Sequence, residues 1–168
     1  MQLVYYPDPI LYKICNDAVN GINRETVLKE RLPLATEMWK IMTNRIGCGL
    51  AAPQVGLNIR MFVWKQNYTN QVVWNPVLLY LSGQSEAIEA CLSLPGVSVT
   101  IQRATSSILE GEGLNGLPIR TIGDSVTTRI WQHEIDHLDG KLIIDRMNPD
   151  ESLTNKSALK QLRKKFDT

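Results

Sequence analysis

Histidine is nearly absent from this chain: the 168 residues hold two, His133 and His137. Chemistry that needs an imidazole therefore falls at one place. Cysteine is sparse and odd in number, with Cys15, Cys48 and Cys91. Such a count, without secretory features, argues against a disulfide framework and for reduced thiols in a reducing compartment. No uninterrupted apolar stretch approaches the roughly eighteen residues of a membrane-spanning helix, so no membrane partner is expected. Residues 1–8 lack a basic region followed by an apolar run, so no signal peptide is expected. A net charge of +1 gives the chain as a whole no pull towards DNA or a membrane surface. No internal repeat or low-complexity tract is present. What remains, 43% apolar and 21% charged, is the composition of a globular protein long enough to bury a core.

Both histidines sit in Gln132-His133-Glu134-Ile135-Asp136-His137, an HExxH arrangement. On a helix, positions i and i+4 share a face. Two imidazoles there can chelate one ion, with Glu134 in reach of a water that the ion activates. Alone, so short a pattern is equally a chance string on an exposed helix. A catalytic site of this kind needs a third protein ligand. The HExxHxxGxxH continuation fails, since Gly140 fits but Ile143 stands where the last His belongs. A Glu from a following helix fails as well, because Glu151 is too near the motif and flanked by a turn-like Asn148-Pro149-Asp150. The remaining soft donor is a thiolate. Cys91 is the best candidate, at the end of an extended segment with Pro95-Gly96 marking a turn just after it. The alternative for Cys91 is a small buried core residue.

The segment Gly47-Cys48-Gly49-Leu50-Ala51-Ala52-Pro53-Gln54-Val55-Gly56 has too many glycines, plus a proline, for a helix or a regular strand. It reads as a loop whose backbone approaches a ligand closely, with Gln54 aimed at developing charge. An ordinary connection with Gln54 in solvent is the alternative.

Together these segments resemble the signature motifs of peptide deformylases: GxGLAAxQ at Gly47–Gln54, EGCLS at Glu89–Ser93 and QHExDH at Gln132–His137. Order and spacing also match, and the similarity runs from about Tyr5 to Arg146. One departure is Ala90, where the family has Gly. A left-handed backbone there would cost Ala on the order of 1 kcal/mol; an ordinary extended residue, the reading favoured here, would make the change benign.

The resemblance implies hydrolysis of the N-formyl group from formyl-Met nascent peptides, releasing formate. It implies Cys91, His133 and His137 as metal ligands and Glu134 as the proton-transferring base and acid. Gln54 and the N–H of Leu92 would stabilise the oxyanion. Cys48, Gly49 and Ala90 would contact substrate. Ile130 and Val126, one and two helical turns before the ligands, would line the pocket for the Met side chain, or serve simply as core. An Arg103–Glu89 pair would prop the cysteine segment. The metal implied in the cell is Fe(II); the general affinity order favours Zn(II), so purified protein would carry Zn, Ni or Co. Two rivals are a metalloprotease, opposed by the missing third His, and a non-enzymatic metal binder, which has no use for Glu134 and Gln54. The location expected is cytoplasmic, with an organelle or a virus-infected bacterial cytoplasm as alternatives.

The elements read as follows. Residues 24–43 form a helix on Leu28, Leu32, Ala35, Trp39 and Met42, capped by Asn23 and kinked or interrupted by Pro33. Strands fall at 59–64, 72–74 and 77–81, with a turn at 67–70. Residues 97–101 and 105–110 look like a further pair, and Asn115-Gly116 turns into a strand at 117–122. Asp124 or Ser125 caps the metal helix, which runs to Leu138 with Gly140 ending it. The class expected is α+β: small, mostly antiparallel sheets packed around a central metal-bearing helix. Residues 1–150 form a single catalytic metallohydrolase domain, and 151–168 a C-terminal basic amphipathic helix. Its helical core is read at 155–166, with Ala158, Leu159 and Leu162 against Lys156, Lys160, Arg163, Lys164 and Lys165. That basic face is either simply solvated or, by the family resemblance, a dock for the ribosome.

Overall fold

Met61-Phe62-Val63-Trp64 is apolar at every position, which a strand tolerates only when both faces are covered. The computed structural model, which describes residues 1–18 and 24–166, shows both covers. Strand β2 (Met61–Gln66) lies in a five-stranded antiparallel sheet with β1 (Gly49–Ala51), β3 (Thr69–Ser82), β6 (Ser106–Glu112) and β7 (Pro118–Gly123), in the order β1-β2-β3-β6-β7. Met61 and Val63 pack with Ala35, Met38 and Met42 of helix α1 (Arg24–Asn44). Phe62 and Trp64 pack with Trp131 and Leu138 of helix α2 (Ser125–Leu138). The indoles of Trp64 and Trp131 meet edge to face at 5.9 Å, a geometry worth about 0.5–1.5 kcal/mol beyond the area buried. Helix α2 is thus held against the sheet along its length.

A second, two-stranded antiparallel sheet pairs β4 (Ser85–Ala90) with β5 (Ser98–Arg103). The inner residues Val99 and Ile101 of β5 join Leu94, Cys91, Tyr6 and Leu162 in a core of their own. Leu162 comes from helix α3 (Pro149–Phe166). The class is α+β with antiparallel sheets about α2, as the sequence indicated.

Several local expectations are corrected. Pro33 does not interrupt α1, which continues through it. Pro33 is exposed, while Ala35, Met38 and Met42 beyond it and Arg31 before it are buried, so packing on both sides offsets the lost backbone bond. Asn23 and the side chain of Leu28 lie outside the described residues. The strands expected at 72–74 and 77–81 are one, β3, which absorbs Pro76 through a register shift between Trp74 and Val77. Asn75 takes a φ of 49° there, which Asn tolerates at little cost. Residues 97–101 and 105–110 do not pair together: β5 pairs with the unexpected β4, and β6 lies between β3 and β7. The glycine segment is not all loop, because Gly49–Ala51 pairs with Trp64, Val63 and Phe62. A short 3-10 turn, Ala52–Val55, follows and ends on Gly56 at φ 82°. Helix α3 starts earlier than expected, with Pro149 at its first turn. Asn148 and Glu151 cap it reciprocally: the Glu151 N–H donates to Asn148 Oδ1 at 2.9 Å and the Asn148 N–H to Glu151 Oε2 at 3.1 Å.

Candidate active site

Helix α2 begins where Asp124 Oδ1 accepts from the Thr127 N–H at 2.8 Å. Nine residues after Asp124 comes His133, and His137 follows one turn on, with ring centroids 5.0 Å apart. Cys91 enters from outside the helix, directly after β4, on a turn closed by the Leu94 N–H donating to the Cys91 carbonyl at 3.0 Å. Its Sγ lies 3.2 Å from His137 Nε2. One donor atom from each of Cys91, His133 and His137 fits within 4.8 Å, the one such cluster among the described residues.

Three features bear on whether this cluster suits an ion. His133 Nδ1 is 2.9 Å from Glu89 Oε2, which fixes the ring and leaves Nε2 for a ligand role. Buried polar atoms are nearly always paired, yet His137 Nδ1 and Glu134 Oε2 lack a hydrogen-bond partner. A thiolate with two imidazoles is also a donor set for divalent zinc, iron or their neighbours. The residues fit a metal ion.

Glu89 is the hub behind His133. Arg103 grips it with Nε and Nη2, both at 2.9 Å, and Arg129 Nη1 adds a contact at 2.7 Å. Arg103 continues to Asp136 at 2.6 Å, and Asp136 to Arg146 at 2.7 Å. Burial opposes the Glu89 charge, but hydrogen bonds from His133 and Arg103 outweigh it and hold its carboxyl well below the usual range. Burial likewise opposes a charge on His133, yet its bonds to Cys91 and Glu89 raise its pKa well above the ordinary value. His137, by contrast, is pushed well below that value by burial and by the nearby positive charges of His133 and Arg103.

Glu134 is 3% exposed, and burial pushes its carboxyl up to about 7. A Cβ on Gly49 would lie 2.3 Å from Glu134 Oε1, so only glycine lets β1 pass this carboxylate. Gln54 is 2% exposed. Its Oε1 accepts from the Ala51 N–H at 2.8 Å, and Nε2 is thereby turned towards Cys91 Sγ at 3.4 Å and Ser93 Oγ at 3.3 Å. These groups open onto a cleft of about 330 Å³ that Gly47–Gly49, Ala90–Leu92 and α2 enclose.

Comparison with known proteins agrees with this geometry. The sequence profile of the polypeptide deformylase family matches residues 1–152. The chain belongs to the peptide deformylase family. It is 38% identical to the peptide deformylase of Desulforudis audaxviator over 147 residues, covering 86% of this chain and 92% of that one. It is 33% identical to the chloroplastic peptide deformylase 1B of Oryza sativa subsp. japonica over 173 residues, covering 99% of this chain and 62% of the rice protein. Peptide deformylase from Plasmodium falciparum superposes with a TM-score of 0.87 at 31% identity, covering 99% of this chain and 97% of that one. Members of the family remove the N-formyl group from nascent polypeptides, and this deformylase is a metal-dependent hydrolase of that kind.

Of the residues the sequence singled out, the deformylase cleft brings together Cys48, Gly49, Gln54, Ala90, Cys91 and Leu92 with Ile130, His133 and Glu134. His137 is buried against Cys91. Val126 stands apart, 69% exposed and outside the cleft lining. Ala90 lies in β4 opposite Ser98 and is not among the residues of positive φ, so its side chain carries no left-handed strain. The Arg103–Glu89 pair is present. Glu151 caps α3 and also accepts from the Thr100 N–H at 2.7 Å. Sequence reasoning missed Arg129, Ser93 and Ile46. Arg129 had a signal, one helical turn before His133 on the same face. Ser93 ends the EGCLS motif, but nothing local showed its contact with Gln54, which spans 39 residues. Ile46, at φ 58° and 92% exposed, stands at the mouth of the cleft.

Proposed function

We propose that Cys91, His133 and His137 hold one divalent ion, and that Glu134 performs the proton transfers of deformylation beside it. The observation that carries this is the three-donor cluster within 4.8 Å next to a buried carboxylate with an unpartnered oxygen. When bound, the ion supplies a Lewis acid and a water of lowered pKa. Glu134 takes the proton of the attacking water at Oε2 and returns it to the departing amine nitrogen. Gln54 Nε2, held by the Ala51 N–H contact on the far side of its amide, donates to the developing oxyanion, and the Leu92 N–H donates to the same oxygen. Glu89 keeps the His133 ring in place.

The outer edge of β1 and the outer edge of β4 are unpaired among the described strands, and both border the cleft. An extended formyl-Met peptide lies between them, against Gly49 and Ala90. Cys48 and Ile130 receive the Met side chain, while Val126, one turn before Ile130 on α2, stands 69% exposed outside this lining. The ion is Fe(II) in the cell, and Zn, Ni or Co replaces it in purified protein. Residues 1–150 carry every proposed catalytic residue, and 151–168 belong to a helix whose exposed Lys156, Lys160, Arg163, Lys164 and Lys165 attract ribosomal phosphate. No described helix is long and apolar enough to cross a membrane, and the enzyme works beside ribosomes in a cytoplasm.

Formate release by metal-loaded protein tests the reading. Formyl-Met-Ala should yield formate, and unformylated Met-Ala-Ser should remain intact. Cleavage of the unformylated peptide would favour a metalloprotease instead.

A further inference from the structure

Ser93 is fully buried and lies outside the lining of the cleft, beyond the reach of a substrate. Its Oγ nevertheless accepts from Gln54 Nε2 at 3.3 Å, across 39 residues. A side-chain amide nitrogen carries two N–H groups. With one of them on Ser93, the other is left facing Cys91 Sγ at 3.4 Å, on the cleft side. The far end of the same amide is held as well, because Oε1 accepts from the Ala51 N–H at 2.8 Å. The segment 4–6 joins the two backbones. The Val4 N–H donates to the Gln54 carbonyl at 2.8 Å, and the Tyr6 N–H to the Ser93 carbonyl at 3.0 Å. Ser93 directly follows Leu92, so its contact ties Gln54 to the turn that carries the Leu92 N–H.

Resting on the deformylase reading above, with Gln54 and the Leu92 N–H as its oxyanion donors, we propose that Ser93 is a positioning residue for that pair. Its hydroxyl fixes one N–H of Gln54, aims the other into the cleft, and so sets the spacing of the two donors. The alternative is a serine that only fills its site. A hydroxyl that only packs matters equally whatever stands at position 54. A hydroxyl that acts through Gln54 loses its effect once the amide is gone. Removing Ser93 Oγ leaves a buried N–H without its partner, and the amide turns to recover one. Oxyanion donors work because they are already fixed where charge develops. Losing such a donor altogether costs about 10²–10³-fold in kcat; losing only its aim should cost part of that, about tenfold. The loss belongs in kcat, because the oxyanion exists in the transition state and not in the bound substrate.

The test is a double-mutant cycle in the metal-loaded full chain, with formyl-Met-Ala-Ser as substrate. Ser93→Ala should lower kcat about tenfold, with KM within about twofold and metal content equal to that of the wild type. On top of Gln54→Leu, the same change should cost less than about twofold. Equal losses in both backgrounds, or no loss in the first, would overturn the positioning role. A second readout needs no turnover: the side-chain amide signals of Gln54 in the heteronuclear NMR spectrum of the zinc-loaded protein. In Ser93→Ala one of the two amide protons should shift and exchange faster with solvent; unchanged signals would overturn the contact. No formate from the wild type sinks the deformylase reading itself, and the amide signals still decide whether Ser93 holds Gln54. Normal kcat in Gln54→Leu removes Gln54 as an oxyanion donor, and this inference with it. A large loss in Gln54→Leu beside none in Ser93→Ala sinks the role of Ser93 alone.

Discussion

His133 and His137 are one turn apart on the same helix, yet their surroundings differ in kind. His133 leans on Glu89, which Arg103 and Arg129 grip, and the chain of charges runs on through Asp136 to Arg146. Every member has partners within the protein. His137 and Glu134 are buried more deeply, and each leaves a polar atom without one. The first region is finished structure. The second carries a desolvation cost that only an ion, a water or a substrate offsets. On the reading proposed above, the satisfied side sets orientation, and the unsatisfied side is where the reaction proceeds.

The largest effects should come from the unsatisfied side. Cys91→Ala and His133→Ala should each lose bound metal and formate release together, because two ligands hold the ion poorly. Metal analysis of the purified variants checks this, and stoichiometric metal in either would remove that residue from the ligand set. Glu134→Ala should behave differently. It should keep its metal and lose about 10²–10⁴-fold in kcat, since only the proton transfer goes. Near-normal turnover with metal bound refutes that role. Gln54→Leu should cost about 10²–10³-fold in kcat. A change confined to KM would make Gln54 a binding residue.

On the satisfied side, Glu89→Gln should cost less in catalysis, about 10- to 100-fold in metal affinity or activity, as expected for a group that orients a ligand. Its larger signature is in stability. The folded pKa of Glu89 lies below that of an unfolded Glu, about 4.3, so its charge adds stability at every pH above that value. The contribution is lost as pH falls from there towards the depressed folded value. Glu89→Gln should therefore lower stability at neutral pH and flatten the acid limb of the unfolding curve. An acid limb as steep as that of the wild type would mean that other carboxylates dominate it.

The same division decides how much was legible from sequence. Helix α2 could be read to its ends, because Asp124, the paired histidines and Gly140 are local signals. Cys91 could be reached by elimination of donors. Strand β4 could not, because Ser-Glu-Ala-Ile-Glu-Ala does not resemble an amphipathic strand: its buried inward residue is the ionised Glu89, and Ile88 is 74% exposed. That inversion makes sense only once Arg103 and Arg129 are seen to meet it across 14 and 40 residues. Pro33 misled for the opposite reason. Local rules end an element at proline, and the surrounding packing overrode them. The site was legible where its chemistry repeats at fixed spacing, and illegible where long-range charge pairs support it.

The smallest catalytic effect, and the sharpest contrast within one element, is expected on α3. One face holds Leu162, 5% exposed and packed in the core that includes Cys91. The other holds exposed lysines. Leu162→Ala should lower unfolding free energy by about 2–4 kcal/mol through the transfer and cavity terms, with kcat/KM near normal below the melting temperature. Reversing Lys156, Lys160 and Lys164 to Glu should stay within about 0.5 kcal/mol of wild type, while weakening ribosome association most visibly at low salt. Truncation after Asp150 should be worse than either. It also removes Asn155, which donates to the Ser98 carbonyl at 3.0 Å and accepts the Ser98 N–H at 3.2 Å, fixing the start of β5. With β5 loosened, β4 loses the only partner strand it has among the described residues, and Glu89 loses its seat behind His133. The truncated protein should therefore melt well below the full chain and lose peptide hydrolysis with it. A truncated protein with unchanged melting temperature and turnover would show that α3 is a solvated appendage, and that the β4–β5 sheet needs no support from it.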